Sequence, residues 1–111
     1  MHKNKIINSL LKIIPKKDII ANDKELSKYN KDWRGFYNYN SICLVFPNSK
    51  KEISKILKFC FDNNIKVVPQ SGNTSLTGAS VPSQNYYEII LNLKKLNKIL
   101  SLDKKNMLIE V

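Results

Sequence analysis

The chain has almost nothing with which to hold a metal. Its single histidine, His2, follows the initiator, and a zinc centre needs three or four ligands. Cysteine is nearly absent too. Cys43 and Cys60 sit in apolar segments without Cys-x-x-Cys spacing, which reads as a reduced, buried pair of the kind a cytosolic compartment allows. No apolar run nears the ~20 residues of a membrane-spanning helix, so no integral membrane segment is expected. Met1 to Ile14 is basic and amphipathic, but it lacks the continuous apolar core and small-residue cleavage site of a signal peptide. It is also poor in the Arg and Ser of a mitochondrial address. It reads as part of the mature protein.

Acidic residues are scarce: nine against nineteen Lys and Arg, a formal charge of +10, with Arg34 the only arginine. Nucleic-acid binders concentrate basic residues on one face and read bases with Arg. Here Lys16–Lys17, Lys50–Lys51, Lys94–Lys95 and Lys104–Lys105 are spread over the whole length. The expectation is a generally basic surface and no nucleic-acid partner. A stand-alone basic binding module without catalytic activity is the alternative outside the enzymes. At 111 residues, with 42% hydrophobic and 25% charged content, the chain fits one domain with a real core.

Ile6, Ile7, Leu10, Leu11 and Ile14 recur at helical spacing until Pro15. Ile19 to Tyr29 predicts a short extended piece, then a helix capped by Asn22 or Asp23. Asn30 to Asn40 is polar and aromatic without a period and reads as an ordered loop. Trp33, Phe36 and Tyr37 suit local packing there, although aromatics beside a base can also stack on nucleic acid. Ile42 to Phe46 is an apolar strand ending at Pro47. Ser49 and Glu52 form a capping box opening a helix with Ile53, Ile56, Leu57, Cys60 and Phe61 on one face and Lys51, Lys55, Lys58 and Asp62 on the other. Asn63–Asn64 ends it, and Ile65 to Val68 is a second apolar strand.

Strand, helix and strand with short joints predict a parallel crossover unit, hence an α/β (α+β) fold with a small parallel sheet. Glu88 to Leu93 is a third strand, Lys94 to Leu100 a turn or short helix, and Leu102 to Asn106 a turn. Met107 to Val111 begins another strand and breaks off in mid-pattern, from which the chain is expected to be a fragment.

The stretch Val67 to Pro82 turns at Pro69 and runs on through small and hydroxylated residues, with two of the chain's three glycines. It leaves the carboxyl end of a parallel strand, where open α/β sheets bind ligands. Successive backbone N–H groups in such a turn form a concave nest for an anion; a plain surface loop is the competing reading. The Gly-x4-Gly-Lys-Ser/Thr and Gly-x-Gly-x-x-Gly phosphate patterns are both absent.

The order Val67-Val68-Pro69-Gln70-x-Gly72-Asn73-Thr74-x-Leu76-x-Gly78-x-Ser80-Val81-Pro82 resembles the FAD diphosphate loop of the FAD-linked oxidases of the vanillyl-alcohol oxidase and para-cresol methylhydroxylase type. Within them it is most similar to the branch of D-2-hydroxyglutarate dehydrogenase, D-lactate dehydrogenase and the flavin subunit of glycolate oxidase. Asp32-Trp33-Arg34-Gly35, Val45-Phe46-Pro47 with Ser49 and Glu52, and Glu88 to Leu93 with Leu96 to Ile99 and Asp103 match further motifs in order.

The resemblance implies FAD as cofactor. Pro69, Ser71, Gly72, Asn73, Thr74, Ser75, Gly78, Ala79 and Ser80 would form the cofactor site, with backbone amides of Ser71 to Ser75 and Gly78 to Ser80 on the diphosphate. Side chains of Asn73, Thr74 and Ser80 would add hydrogen bonds. The family usually has glycine where this chain has Ser71, Ser75 and Ala79, and a Cβ there would be strained if any of these needs φ > 0. Residues 1–40 would be a helical extension and ordered loop, and 41–111 the N-terminal half of the FAD-binding domain, in its first subdomain.

The resemblance further implies oxidation of a 2-hydroxy acid, D-2-hydroxyglutarate first, with D-lactate and glycolate as alternatives. The substrate-binding domain, catalytic base and metal ligands of that branch would lie beyond Val111, leaving the catalytic residues unknown and no metal site in this chain. Asp32 and Arg34 invite a reading as a substrate-carboxylate site, but the expectation is a structural loop role, with Arg34 paired to Asp32 or capping a helix. The expected location is cytoplasmic, or the mitochondrial matrix in a eukaryote.

Overall fold

In the computed structural model, which describes residues 2–111, alternating apolar and lysine-rich positions fold as three helices around a four-stranded sheet. Helix α1 covers Lys3–Leu10, and two tight turns carry the chain to Ile14, which is buried like Ile6 and Leu10. The helix therefore ends well before Pro15, which instead opens a 3-10 turn at Lys16–Asp18. Strand β1 (Ile19–Ile20) follows, then α2 (Asp23–Asn30). The cap of α2 is Asn22, whose side chain accepts from the N–H groups of Lys24 and Glu25, satisfying donors that the first helical turn leaves unpaired.

Strand β2 is the short pair Leu44–Val45, but the whole apolar run is tied down. Ile42 N–H donates to Glu88, Cys43 accepts from Ile90, and Phe46 N–H donates to Asp18. Helix α3 spans Lys50–Asp62. Ser49 Oγ accepts from Glu52 N–H at 3.2 Å, while Glu52 Oε2 reaches back to Asn48 N–H at 2.6 Å. The box thus closes one residue further out than the usual reciprocal pairing. Asn64 takes φ 54° after the helix, a left-handed turn that asparagine tolerates.

The buried face of α3 differs from the predicted one. Ile56 and Cys60 are buried, with Ile53 and Phe59 packed beside them, but Leu57 and Phe61 are exposed, Phe61 at 83%. These two, four residues apart, form a side of the helix that no element among the described residues covers.

Strand β3 is Lys66–Gln70 and β4 is Glu88–Asn92. The chain does not turn at Pro69: that residue pairs in the sheet with Leu91, and Gln70 with Asn92. Strand order is β1-β2-β4-β3, so β3 lies at the edge, where a missing N–H costs the ladder nothing. The crossover through α3 joins β2 to β3, and β4 inserts between them, parallel to both.

Side chains alternate through β4. Ile89 and Leu91 join the core with α1 and α3, whereas Ile90 meets Leu26, Leu44 and Phe46 beneath α2. All of β4 is buried, and each such aliphatic side chain contributes roughly 1.5–3 kcal/mol. Strands β5 (Ser101–Asp103) and β6 (Leu108–Glu110) form a separate antiparallel hairpin. Leu102 and Ile109 lie opposite each other on it and are largely exposed.

Asp18 pins the start of the chain to the loops after β2 and β4. It is fully buried and accepts from Asn48 Nδ2 at 2.8 Å and from Lys95 Nζ. Burial pushes its pKa up, but the hydrogen bonds from Lys95 and Asn48 and the lysine charge outweigh this and hold it below the ordinary carboxylate value. A carboxyl depressed on folding adds stability above its unfolded pKa of about 3.9 and loses it as pH falls through the folded value. Asp18→Asn should therefore lower stability near neutral pH by about 1–3 kcal/mol. It should also flatten the acid limb below about pH 4; urea unfolding at several pH values reads both effects.

Cys43 and Cys60 are free and buried, and burial pushes their thiols up to about 12 and about 11. Since the thiolate is the reactive form, a disulfide reagent at pH 8 should label neither until denaturant unfolds the chain.

Candidate functional site

The segment from Ser71 to Tyr87 joins the ends of β3 and β4 without regular structure, and its ends are closed by two buried polar side chains. Gln70, 2% exposed, donates through Nε2 to the carbonyls of Tyr29 and Ser80, each at 2.9 Å. Its Oε1 accepts from Asn92 Nδ2 at 3.0 Å. The last residue of β3 is thus joined to the neighbouring strand, to α2 and to the returning limb of its own loop. At the far end, Glu88 accepts from the N–H and hydroxyl of Ser83, at 2.5 and 2.7 Å.

Within the loop, Ser80 Oγ donates to Asn73 Oδ1 at 2.8 Å, and Asn73 Nδ2 donates to the Lys31 carbonyl at 2.8 Å. Ser75 Oγ accepts from Thr77 N–H. The side chains of Asn73 and Ser80 are therefore engaged in shaping the loop, while the hydroxyls of Ser71 and Thr74 make no hydrogen bond among the described residues. Asn73 and Gly78 take positive φ, 53° and 76°. Ser71, Ser75 and Ala79 do not, so their Cβ atoms carry no left-handed strain. A Cβ on Gly78 would lie 2.9 Å from Cγ of Tyr37, which makes glycine necessary there for both backbone and space.

The backbone N–H groups of Ser71 to Leu76 and of Gly78 to Ser80 donate to no protein acceptor among the described residues. No Asp or Glu occurs between Ser71 and Tyr87. A run of free main-chain donors, reversed in hand at two points and without a repelling carboxylate, has the chemistry of an anion nest. It fits a diphosphate, whose charges need several donors, without burying a lysine.

Of the residues expected to hold the cofactor, Ser71, Gly72, Asn73, Thr74, Ser75, Gly78, Ala79 and Ser80 all lie on this one loop. Pro69 stands apart in β3, its side chain exposed on the face opposite Gln70. Sequence reasoning did not single out Gln70, Asn92 or Glu88 as site-forming. Their only signal is a polar side chain at the boundary of an apolar strand. A cleft of about 320 Å3 opens elsewhere, lined by Leu93, Leu96, Leu100, Val111, Lys50 and Lys98 among others; none of the loop contributes to it.

Residues 41–111 match the FAD binding domain family. The chain is 41% identical over 95 residues to the D-2-hydroxyglutarate–pyruvate transhydrogenase of Saccharomyces cerevisiae, covering 78% of this chain and 19% of that protein. It is 36% identical over 101 residues to the mitochondrial D-2-hydroxyglutarate dehydrogenase of Arabidopsis thaliana, covering 91% of this chain and 18% of that one. The chain thus spans less than a fifth of the length of these relatives. Its fold superposes on p-cresol methylhydroxylase with a TM-score of 0.78 and 24% identity, over 92% of this chain and 20% of that structure. The family match and these relatives lead to one assignment: the chain belongs to the FAD binding domain family, and its cofactor is FAD.

Proposed function

We propose that this chain is the N-terminal, diphosphate-holding part of an FAD-dependent D-2-hydroxy-acid dehydrogenase, with D-2-hydroxyglutarate as the substrate. The observation that carries the reading is the set of N–H groups of Ser71 to Leu76 and Gly78 to Ser80, unpaired among the described residues, at the carboxyl end of β3. The substrate is inferred from the relatives that bear D-2-hydroxyglutarate in their names. FAD, when bound, supplies the hydride acceptor for oxidation of the hydroxyl-bearing carbon to a 2-oxo acid.

The work of this chain's own residues is to bind and orient. Amides of Ser71 to Ser75 and Gly78 to Ser80 hold the diphosphate; Asn73 and Ser80 keep the loop in shape from within. Residues 41–111 form the N-terminal half of the FAD-binding domain, and residues 1–40 its N-terminal helical extension and ordered loop. No residue here is assigned to proton removal or to a substrate carboxylate. The chain alone supplies one wall of the flavin site, so it binds FAD weakly.

Titrating the 15N-labelled chain with FAD, ADP and duplex DNA tests this. FAD and ADP should shift the amides of residues 71–76 and 78–80. Tight, salt-sensitive DNA binding with no response of these amides would replace the reading with a basic binding module. Gly78→Ala should weaken FAD binding and destabilise the fold by about 1–2 kcal/mol through its left-handed backbone alone, as read by denaturant unfolding.

A further inference from the structure

The diphosphate loop is held from outside the matched domain. Three contacts reach it from one upstream segment. The Lys31 carbonyl accepts from Asn73 Nδ2 at 2.8 Å. Arg34 Nη2 donates to the Leu76 carbonyl at 2.6 Å. The ring of Tyr37 lies against Gly78, in the space a Cβ would need. These contacts fall on both limbs of the loop and at its tip, and two of them meet the residues with positive φ.

The segment that makes them is closed on itself. Asp32 N–H donates to the Tyr37 carbonyl, and Tyr37 N–H donates to Asp32 Oδ1, both at 3.2 Å. Gly35, with φ 76°, turns the chain between them and donates to the Asp32 carbonyl at 3.0 Å. Lys31 bridges Asn38 across the open end. Arg34 lies over the Phe36 ring, 4.6 Å from its centroid. Asp32 is 2% exposed, and its Oδ2 is buried without a hydrogen bond; its counter-charge is Arg34 Nε at 3.6 Å. A buried carboxylate so incompletely satisfied is weak support for stability. Its geometric consequence is specific: it fixes a guanidinium whose other arm holds Leu76.

We propose that Lys31–Tyr37 is a positioning clamp for the FAD diphosphate loop, with Asp32, Arg34 and Tyr37 holding Asn73, Leu76 and Gly78 in the conformation that presents the free N–H groups. The clamp rests on the reading of that loop as the FAD site. Its physical basis is entropy. A loop most of whose N–H groups find no protein acceptor is held from within only by a few side-chain hydrogen bonds, Ser80 to Asn73 and Thr77 to Ser75 among them, and fixing each residue costs about 1–2 kcal/mol. Ties supplied by the clamp place that ordering in the folding of the chain rather than in the binding of the cofactor, so the competent loop conformation is populated beforehand.

The test compares ligand-free 15N relaxation and FAD affinity in the 111-residue chain and in Tyr37→Ala, Tyr37→Phe, Arg34→Lys and Asp32→Asn. Loop amides 72–79 should lose order in Tyr37→Ala, Arg34→Lys and Asp32→Asn but not in Tyr37→Phe, while β4 amide shifts stay in place. If the competent fraction falls to about a tenth, the FAD Kd rises about tenfold. Loop order equal to the parent chain in the Arg34 and Asp32 variants overturns the clamp, whether or not FAD binding changes. Should the parent loop fail to respond to FAD, the cofactor reading falls, and the ligand-free relaxation still decides whether the clamp exists. The Arg34 and Asp32 variants keep the test decisive if Tyr37→Ala does not fold.

Discussion

The arrangement of this molecule depends on the side-chain amide of Gln70. It is buried at the last residue of β3 and makes hydrogen bonds in three directions: to Asn92 on β4, to the end of α2 and to the returning limb of the loop. A buried amide left without partners costs about 1–3 kcal/mol, so these contacts are strongly coupled to one another. The distance between the two limbs of the loop is thereby set by the pairing of β3 with β4, a strand whose residues are all buried. Pro69 can precede Gln70 only because β3 is an edge strand, and the same edge position leaves the loop free to open outward.

Charge enters the site indirectly. The chain carries +10, yet the loop proposed to hold two phosphates has no charged residue of its own. The nearest guanidinium in the contact network, Arg34, is bound to a carbonyl of the loop and to a buried carboxylate. Recognition through main-chain donors keeps the geometry fixed by backbone torsions rather than by flexible lysine stems. On the proposed reading the scattered lysines contribute a general surface field and none is needed as a ligand.

Local features were legible in the sequence because they are set by neighbours along the chain. The Asn22 and Ser49 caps, the left-handed turn at Asn64, the apolar runs of β2 to β4 and the loop itself follow from residue types at short spacing. What was not legible depends on distant partners. The insertion of β4 between β2 and β3 is a choice of strand neighbours that no local pattern encodes. Pro69 looked like a stop because its edge position was unknown. Leu57 and Phe61 looked like core because helical periodicity fixes a face, not what covers it. Gln70 and Asn92 were ordinary polar residues until the sheet placed them side by side. Of the β5–β6 hairpin, the turn and the second strand were visible, but Leu102 and Asp103, read as turn, lie in β5, and two strands alone are marginally stable. Its exposed Leu102 and Ile109 belong to a surface suited to further packing.

The central claim is that the unpaired N–H groups of the 71–80 loop are the diphosphate site. A crystal structure of the protein with FAD bound tests it most directly. The account predicts diphosphate oxygens within hydrogen-bond distance of amides in Ser71 to Ser75 and Gly78 to Ser80, with Gln70, Asn73 and Ser80 keeping the partners they have here. A diphosphate held instead by lysine side chains, with the loop amides turned to solvent, would contradict it.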